Sequence, residues 1–510
     1  MLSRKTRVRW SDPPHPSSNT KKGAQKLLSV EEIKSFIDND KASAKKRYAE
    51  TAVRYYDAEH DIKDYRMFFV NADGELKEDK YRSNIRISHP FFTEIVDQLV
   101  QFELSGEEGF LFSDIPELQK ELDYYFNNNE EFRADFDECV TGTIVKGFDY
   151  MYAYKAKDGR TAFQYADSMG VVEVKENETD DHCAYVIFWY VDRIGKDNKK
   201  IKRIQVWDKA QTYFYCQIDN GEIVLDHNQK PNPRPHVIYQ KDNDETIYYE
   251  DFGFIPFFRM KYNRKETSGM KPIKDIIDSY DLMYAGLANN IQDTSEALYV
   301  VKGFQGDNLD ELMMNIKTKK HIGVDDGGDV EIRTIDIPYE ARKTKMEIDE
   351  KNIFRLGMAV NTEGLKDSSA TVSVAIKSAY TLLEMKANKL ETQIKLFMRK
   401  LLDVVLDEIN QLNGTDYQSK DVYFKFEREI PTNLLENAQI KQTEAQTRQL
   451  EINTLLNLAS HLDNETMMQL ICEQLDMDYN ELKDKLPNPE ETDPYMMDEE
   501  APGEEGVLIE

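Results

Sequence analysis

Between residues 365 and 412 the chain contains neither glycine nor proline. Through that stretch, apolar or small residues recur at Ile376, Tyr380, Leu383, Ala387, Leu390, Ile394, Phe397, Leu401 and Val404. The 4-3-4-3 spacing places all nine on one stripe of an α-helix. At 1.5 Å rise per residue such a helix runs about 55 Å. It is too long to be packed only within one small domain. The stripe suits burial in the chain's own core and contact with a second subunit equally well.

A chain of 510 residues exceeds what one hydrophobic core organises, so two or more structural units are expected. An apolar fraction of 40% suffices for packed cores, while 32% charged residues and a mean hydropathy of −0.67 imply a large polar surface. No run approaches the roughly 18 apolar residues a membrane-spanning helix needs. The N-terminus is basic but has no apolar segment of the secretory kind. Cys139, Cys183, Cys216 and Cys472 show no C-x-x-C spacing, so reduced thiols in a cytosolic compartment are expected.

The net charge of −29 argues against tight binding of DNA through phosphate neutralisation, which needs a Lys/Arg-rich face. It fits a role without nucleic acid, and equally a wall past which a polyanion slides without sticking. The two ends differ in sign. Residues 1–27 hold seven Lys or Arg and one acidic residue, Asp12, whereas the last twenty residues hold eight acidic and no basic ones. Both ends read as disordered tails, 1–28 and 488–510.

Ser29 with Glu31 and Glu32 marks a capped helix start. Helices at 44–62, 89–105 and 116–127 precede a series of alternating strands, so residues 30–265 read as an α+β unit, helices first and then an antiparallel sheet. From Met270 to Val301 one long helix is expected, with apolar positions at Ile273, Ile276, Ile277, Tyr280, Met283, Leu287 and Ile291. A short helix capped by Asp307 follows, then a hairpin with Asp326-Gly327-Gly328 in its turn. Pro338 opens the next helix, and residues 361–371 form a polar break before the long stripe. A strand at 421–428 and three helices complete the expected order.

Catalytic and metal motifs are absent. There is no G-x-x-x-x-G-K-[ST], H-E-x-x-H or G-x-S-x-G, and the eight histidines are dispersed. Residues 324–331 lack the D-x-[DN]-x-[DN]-G spacing of a calcium loop. The reading is therefore no enzyme and no cofactor. Two basic clusters stand out: Lys317, Lys319 and Lys320, and then Arg342, Lys343 and Lys345. They are either solvated helix faces or places where a phosphate backbone or an acidic partner passes.

At this point several long segments carry a resemblance. Residues 252–266 (FGFIPFFRMKYNRKE), 271–326 and the stretch with VSVAIKSAYTLLEMK (372–386) are similar to the SPP1-like portal family of tailed phages. So are 84–106 (NIRISHPFFTEIVDQLVQFELSG) and 145–154 (VKGFDYMYAY). The resemblance spans about residues 30–430.

It implies an α+β portal-type subunit that forms a ring, usually twelve-fold, at one capsid vertex. Carried over, 29–268 would be an α/β wing, 269–300 a stem helix, 301–337 a small clip and 338–358 a second stem helix. Residues 359–372 would be a tunnel loop, 373–431 a long helix with a return strand to the wing, and 432–487 a helical crown. Asn361, Thr362, Lys366, Asp367 and Ser368 would face the DNA, and the basic clusters would lie at or near the clip. Implied partners are double-stranded DNA without sequence specificity, the terminase large subunit, a head–tail adaptor, and major capsid and scaffolding proteins, with no membrane. The implied location is the virion, with assembly in the host cytoplasm. A head–tail or baseplate adaptor that also forms a ring is the alternative.

Overall fold

The computed structural model describes residues 27–71, 73–79, 82–106, 109–175, 183–194, 199–240, 247–294, 298–304, 324–333, 338–361 and 372–428, with short helical fragments between 442 and 470. The chain divides into two compact units, one of Met1–Asp367 with Lys377–Ile430 and one of Ser368–Ile376 with Pro431–Glu510. Little of the second is described, so the expected crown helices lie outside the described residues, as do both tails and the helix after Asp307.

Local sequence chemistry accounts for the first elements. Helix α1 (Val30–Ala42) opens on Ser29, whose hydroxyl accepts from the Glu32 amide at 3.2 Å while Glu32 Oε2 accepts from the Ser29 amide at 2.8 Å. Two N-terminal amides that the helix leaves unpaired are thereby satisfied. Ser29→Ala should cost about 1 kcal/mol, seen as roughly fivefold faster amide exchange confined to α1. Unchanged exchange there would mean that packing alone holds the helix end. Ser43 caps α2 (Ala44–Tyr56) in the same way, through the Lys46 amide at 3.3 Å.

Helices α3 (Phe91–Glu103), α4 (Pro116–Leu122, extended by one π turn) and α5 (Glu130–Lys146) precede the strands, in the expected order. The strands do not form a single sheet. Strand β4 (Phe148–Lys155) pairs with β5 (Thr161–Ala166) and with β14 (Phe257–Lys261). A larger antiparallel sheet holds β6 (Val171–Val174), β7 (Tyr185–Ile194), β8 (Lys199–Trp207), β9 (Gln211–Ile218) and β10 (Ile223–Leu225), with β11 (Arg234–Pro235) also pairing on β9. One face of that sheet packs Ile187, Ile204, Val206 and Tyr215 on Ile33 and Ile37 of α1. Smaller antiparallel pairs join β1 (Phe68–Val70) to β2 (Leu76–Glu78) and β12 (Val237–Gln240) to β13 (Ile247–Glu250).

The expected long helix from 270 is shorter. Helix α6 spans Lys274–Thr294, and Leu298–Phe304 is strand β15. The expected hairpin at 326–328 is also corrected. Residues Val324–Arg333 form one strand, β16, antiparallel to β15. Lys302 faces Asp329 and Phe304 faces Val324, so Asp326-Gly327-Gly328 is a bulge inside the strand rather than its turn. Gly327 takes φ +87°, a value a side chain disfavours. The partner strand is β15, across some twenty residues of intervening chain, so the Asp-Gly-Gly sequence marks a bulge and not a turn.

Helix α7 covers Tyr339–Gly357 and α8 covers Val372–Asn413, one residue or so from the expected bounds. From Leu383 onward the stripe lies in the subunit's own core. Leu383, Ala387, Leu390, Ile394, Phe397 and Leu401 are buried with Phe92, Ile95 and Leu99 of α3, Phe136 and Val140 of α5, and Ile353 of α7. Past Leu401 the buried positions move from Val404 to Val405, Leu406 and Ile409, because a 3.6-residue helix drifts against a 3.5-residue repeat. The strand expected at 421–428 shrinks to β17 (Tyr423–Phe424), paired with β3 (Leu111–Phe112).

Candidate functional site

Helices α6 and α7 lie against one another, and three of the singled-out basic residues sit on α7. The Lys345 ammonium is engaged inside the subunit: it pairs with Asp349 one turn on and donates to Ser279 Oγ of α6 at 3.1 Å. Asp349 also accepts from the Ser279 hydroxyl at 3.1 Å, which closes a small network between the helices. Arg342 lies across Gly286 of α6, where an added methyl would meet its Nη1 at 3.0 Å. Lys343 points outward, with only a 4.0 Å contact to the half-exposed Glu347, an interaction worth little in water. Lys317, Lys319 and Lys320 lie outside the described residues. Of the expected DNA-facing residues only Asn361 is described. Its amide donates to Glu350 Oε1 at 3.0 Å. Thr362, Lys366, Asp367 and Ser368 lie outside the described residues.

The launching point of that loop is firmly built. Helix α7 ends on Met358 at φ +53°, the left-handed cap position, with the Ala359 amide reaching back to the Phe354 carbonyl at 3.0 Å. Gln98 of α3 then clamps Val360 from both sides: Nε2 donates to its carbonyl at 3.0 Å and Oε1 accepts from its amide at 3.1 Å. Gly357 passes so close to α3 that a Cβ would come within 2.7 Å of Ile95 Cδ1. From α8, the buried Lys386 donates to the Gly357 carbonyl at 2.6 Å, one of the carbonyls a helix C-terminus leaves unpaired. Burial holds the Lys386 ammonium down to about 8. Three helices thus fix the chain immediately before residue 361.

The sequence pattern did not reveal the polar seam along α6. Lys274, Asp278, Asp281, Asn289 and Asp293 fall at helical spacing on one face. Lys274 Nζ binds Asp61 at 2.8 Å, Tyr55 Oη at 3.1 Å and Asp278 at 2.6 Å, and these partners raise its pKa. Asp281, fully buried, accepts from the His89 amide at 3.1 Å, and His89 Nδ1 and His60 Nδ1 lie 2.8 and 2.6 Å from its oxygens. His60 Nε2 faces the Tyr55 carbonyl at 3.2 Å, and that carbonyl can only accept. Asn289 Oδ1 takes the Ile85 amide at 2.6 Å and Asp293 the Ser83 amide at 3.0 Å. Residues 55–61 and 83–89 are therefore both pinned on α6. The legible signal was a set of short polar residues interrupting an otherwise apolar helix.

Among the described residues no group of His, Cys, Asp and Glu has metal-site geometry, and no helix is long and apolar enough to cross a membrane. Between α5 and the β4–β5 strands, Lys146 pairs with Asp149 and Asp167 at 2.6 Å each; Lys146 and Asp149 are buried, while the Asp167 side chain is half exposed. Burial raises the Asp149 carboxyl to about 6. What the α6–α7 pair and the anchored helix ends can do is mechanical: hold the end of α7 and the residues up to Asn361 in place against α3 and α8.

The family described as "Phage portal protein, SPP1 Gp6-like" matches residues 34–481. A portal protein of Bacillus phage SPP1 is 28% identical over 356 residues, 68% of this chain and 67% of that protein. A portal protein of Clostridium phage phiCD119 is 24% identical over 428 residues, 81% of this chain and 89% of that protein. A solved structure described as "Neck of native GTA particle computed with C12 symmetry" contains a chain that aligns at 14% identity and a TM-score of 0.34, over 75% of this chain and 90% of that one. Neither curated relative bears an enzyme's name.

Proposed function

The chain belongs to the SPP1 Gp6-like family of phage portal proteins, and on that premise we propose that it closes into a twelve-membered ring at one capsid vertex. The ring is the passage for double-stranded DNA during packaging and ejection. It docks the terminase large subunit first and a head–tail adaptor later, and it meets capsid and scaffolding proteins from the host cytoplasm onward. The observation that carries this reading is the extent of the family match. Residues 34–481 include the α6–α7 pair, the loop after Val360 and the long helix α8.

Physical features support the same reading. A ring with cyclic symmetry needs a heterologous interface, one face of a subunit fitting a different face of the next. Leu382, Met385 and Leu396 on the outer side of α8 are 37%, 51% and 55% exposed, apolar surface of the kind such contacts cover. A net charge of −29 keeps passing phosphates from binding tightly. Residues 359–372 act as the tunnel loop, with Asn361, Thr362, Lys366, Asp367 and Ser368 toward the DNA. The clip spans 301–337, and Lys317, Lys319, Lys320 and Lys343 face the docking partners. ATP hydrolysis belongs to the separate motor.

Mass and symmetry test the ring. With 59.5 kDa per subunit, about twelve copies weigh roughly 0.7 MDa. A particle of that mass with a central hole is expected in negative stain, and a chain that stays monomeric at high concentration would count against it. Lys366→Ala is expected to leave the ring intact while altering DNA packaging; loss of the ring in that variant would remove the tunnel-loop assignment.

A further inference from the structure

Independently of the ring, we propose that Lys41, Lys202 and Trp189 form a site for the carboxylate groups of an acidic peptide segment on a partner protein. The site is where the β7–β8 sheet outruns the helix that covers it. Along β7 and β8, residues 187, 189 and 191 share a face with 202, 204 and 206, since Val191 is opposite Lys202 and Trp189 opposite Ile204. Ile187, Ile204 and Val206 are sealed beneath α1. Helix α1 stops at Ala42. Beyond it the same face continues as the half-buried Trp189 and Val191, the latter 47% exposed.

Two cations converge on this uncovered strip. Lys41 Nζ, from the last turn of α1, and Lys202 Nζ, from β8, each lie 4.4 Å from the Trp189 ring centroid. Each gains a modest attraction to the indole face, yet they repel one another, and no ion pair engages either among the described residues. Burial first, and Lys41 second, hold the Lys202 ammonium down to about 8, while Asp38 nearby acts in the opposite sense. On the other side, β9 offers Lys202 only the neutral Gln217. Lys199 and Lys200 add exposed positive charge on the same strand. The Trp189 indole N–H is itself buried without an acceptor.

A carboxylate between Lys41 and Lys202 would relieve their repulsion, and apolar residues beside it would cover Trp189 and Val191. Duplex DNA fits this place poorly. It carries a charge about every 1.7 Å and is repelled as a long polyanion by a chain of net charge −29, whereas a short peptide reaches the two lysines alone.

The test is a titration of the full-length protein with an oligoglutamate peptide at low salt, followed by tryptophan emission. Trp10 and Trp207 are present in every sample, so Trp189 is read from the difference between the wild type and the Lys41→Ala/Lys202→Ala double variant. A saturable emission change that weakens at least tenfold in the double variant is expected. Neither lysine has an ion pair among the described residues, so an unchanged melting temperature should accompany the loss; Lys202→Gln alone serves as a second variant should the double one melt early. An equal response in the variants overturns the site. A duplex oligonucleotide that elicits the same lysine-dependent response at lower concentration overturns the choice of an acidic peptide.

Discussion

Asp281→Ala is expected to lower the unfolding free energy by about 3–5 kcal/mol, since several donors lose their shared buried acceptor at once. The carboxylate serves donors from two separate chain segments: His60, and both the ring and the amide of His89. Its removal leaves all three without that acceptor, His60 in a fully buried place and His89 in a partly buried one, and each unpaired buried donor carries its own cost. Asp281→Asn keeps the shape and one acceptor, so a smaller loss is expected. Urea unfolding followed by circular dichroism, at one protein concentration for all variants, is the appropriate measurement because assembly shifts apparent stability. A loss below about 1 kcal/mol for the alanine variant would mean that α6 is held by its apolar face alone.

Lys386→Met is expected to change the pH dependence of stability rather than stability alone. In the folded chain the ammonium is held down to about 8, against 10.5 for an ordinary lysine, and burial is the cause. Below about pH 8 both states are protonated and the folded state bears the full cost of the buried charge. Between about 8 and 10.5 the unfolded chain still holds the proton that the folded chain has released, so this residue makes stability rise with pH. Above 10.5 it contributes nothing further. The shift corresponds to about 3 kcal/mol. Whatever advantage the methionine variant has at pH 7 should therefore shrink by about that amount by pH 11. The comparison of two proteins cancels the tyrosines that titrate in the same range. A difference that stays flat with pH would show that the lysine keeps an ordinary pKa in the folded chain and is well solvated there. Lys386 ties α8 to the last carbonyl of α7, at Gly357.

Local chemistry was legible without the fold. The Ser29 cap, the helix before residue 357 and the uninterrupted helix at 372–413 depend on neighbours three and four residues away, and periodicity reports such neighbours directly. The order of helices and strands was readable for the same reason, whereas the segments similar to portal proteins were legible only as a resemblance of long stretches of sequence.

What the tertiary structure decided were matters of distant pairing. The stripe on α8 could serve a second subunit or its own core, and only the packing of α3, α5 and α7 around Leu383–Leu401 settles it for the core. Residues 298–304 became a strand because Val324–Arg333 lies beside them, overriding a helical pattern that had counted Ile291 as inward although it is 53% exposed. Asp281, Asn289 and Lys386 look like solvent-facing breaks in apolar helices, yet all are buried. A polar group can be buried only where donors or acceptors reach it. Here those come from residues 60, 85, 89 and 357, sequence separations over which no local pattern carries information.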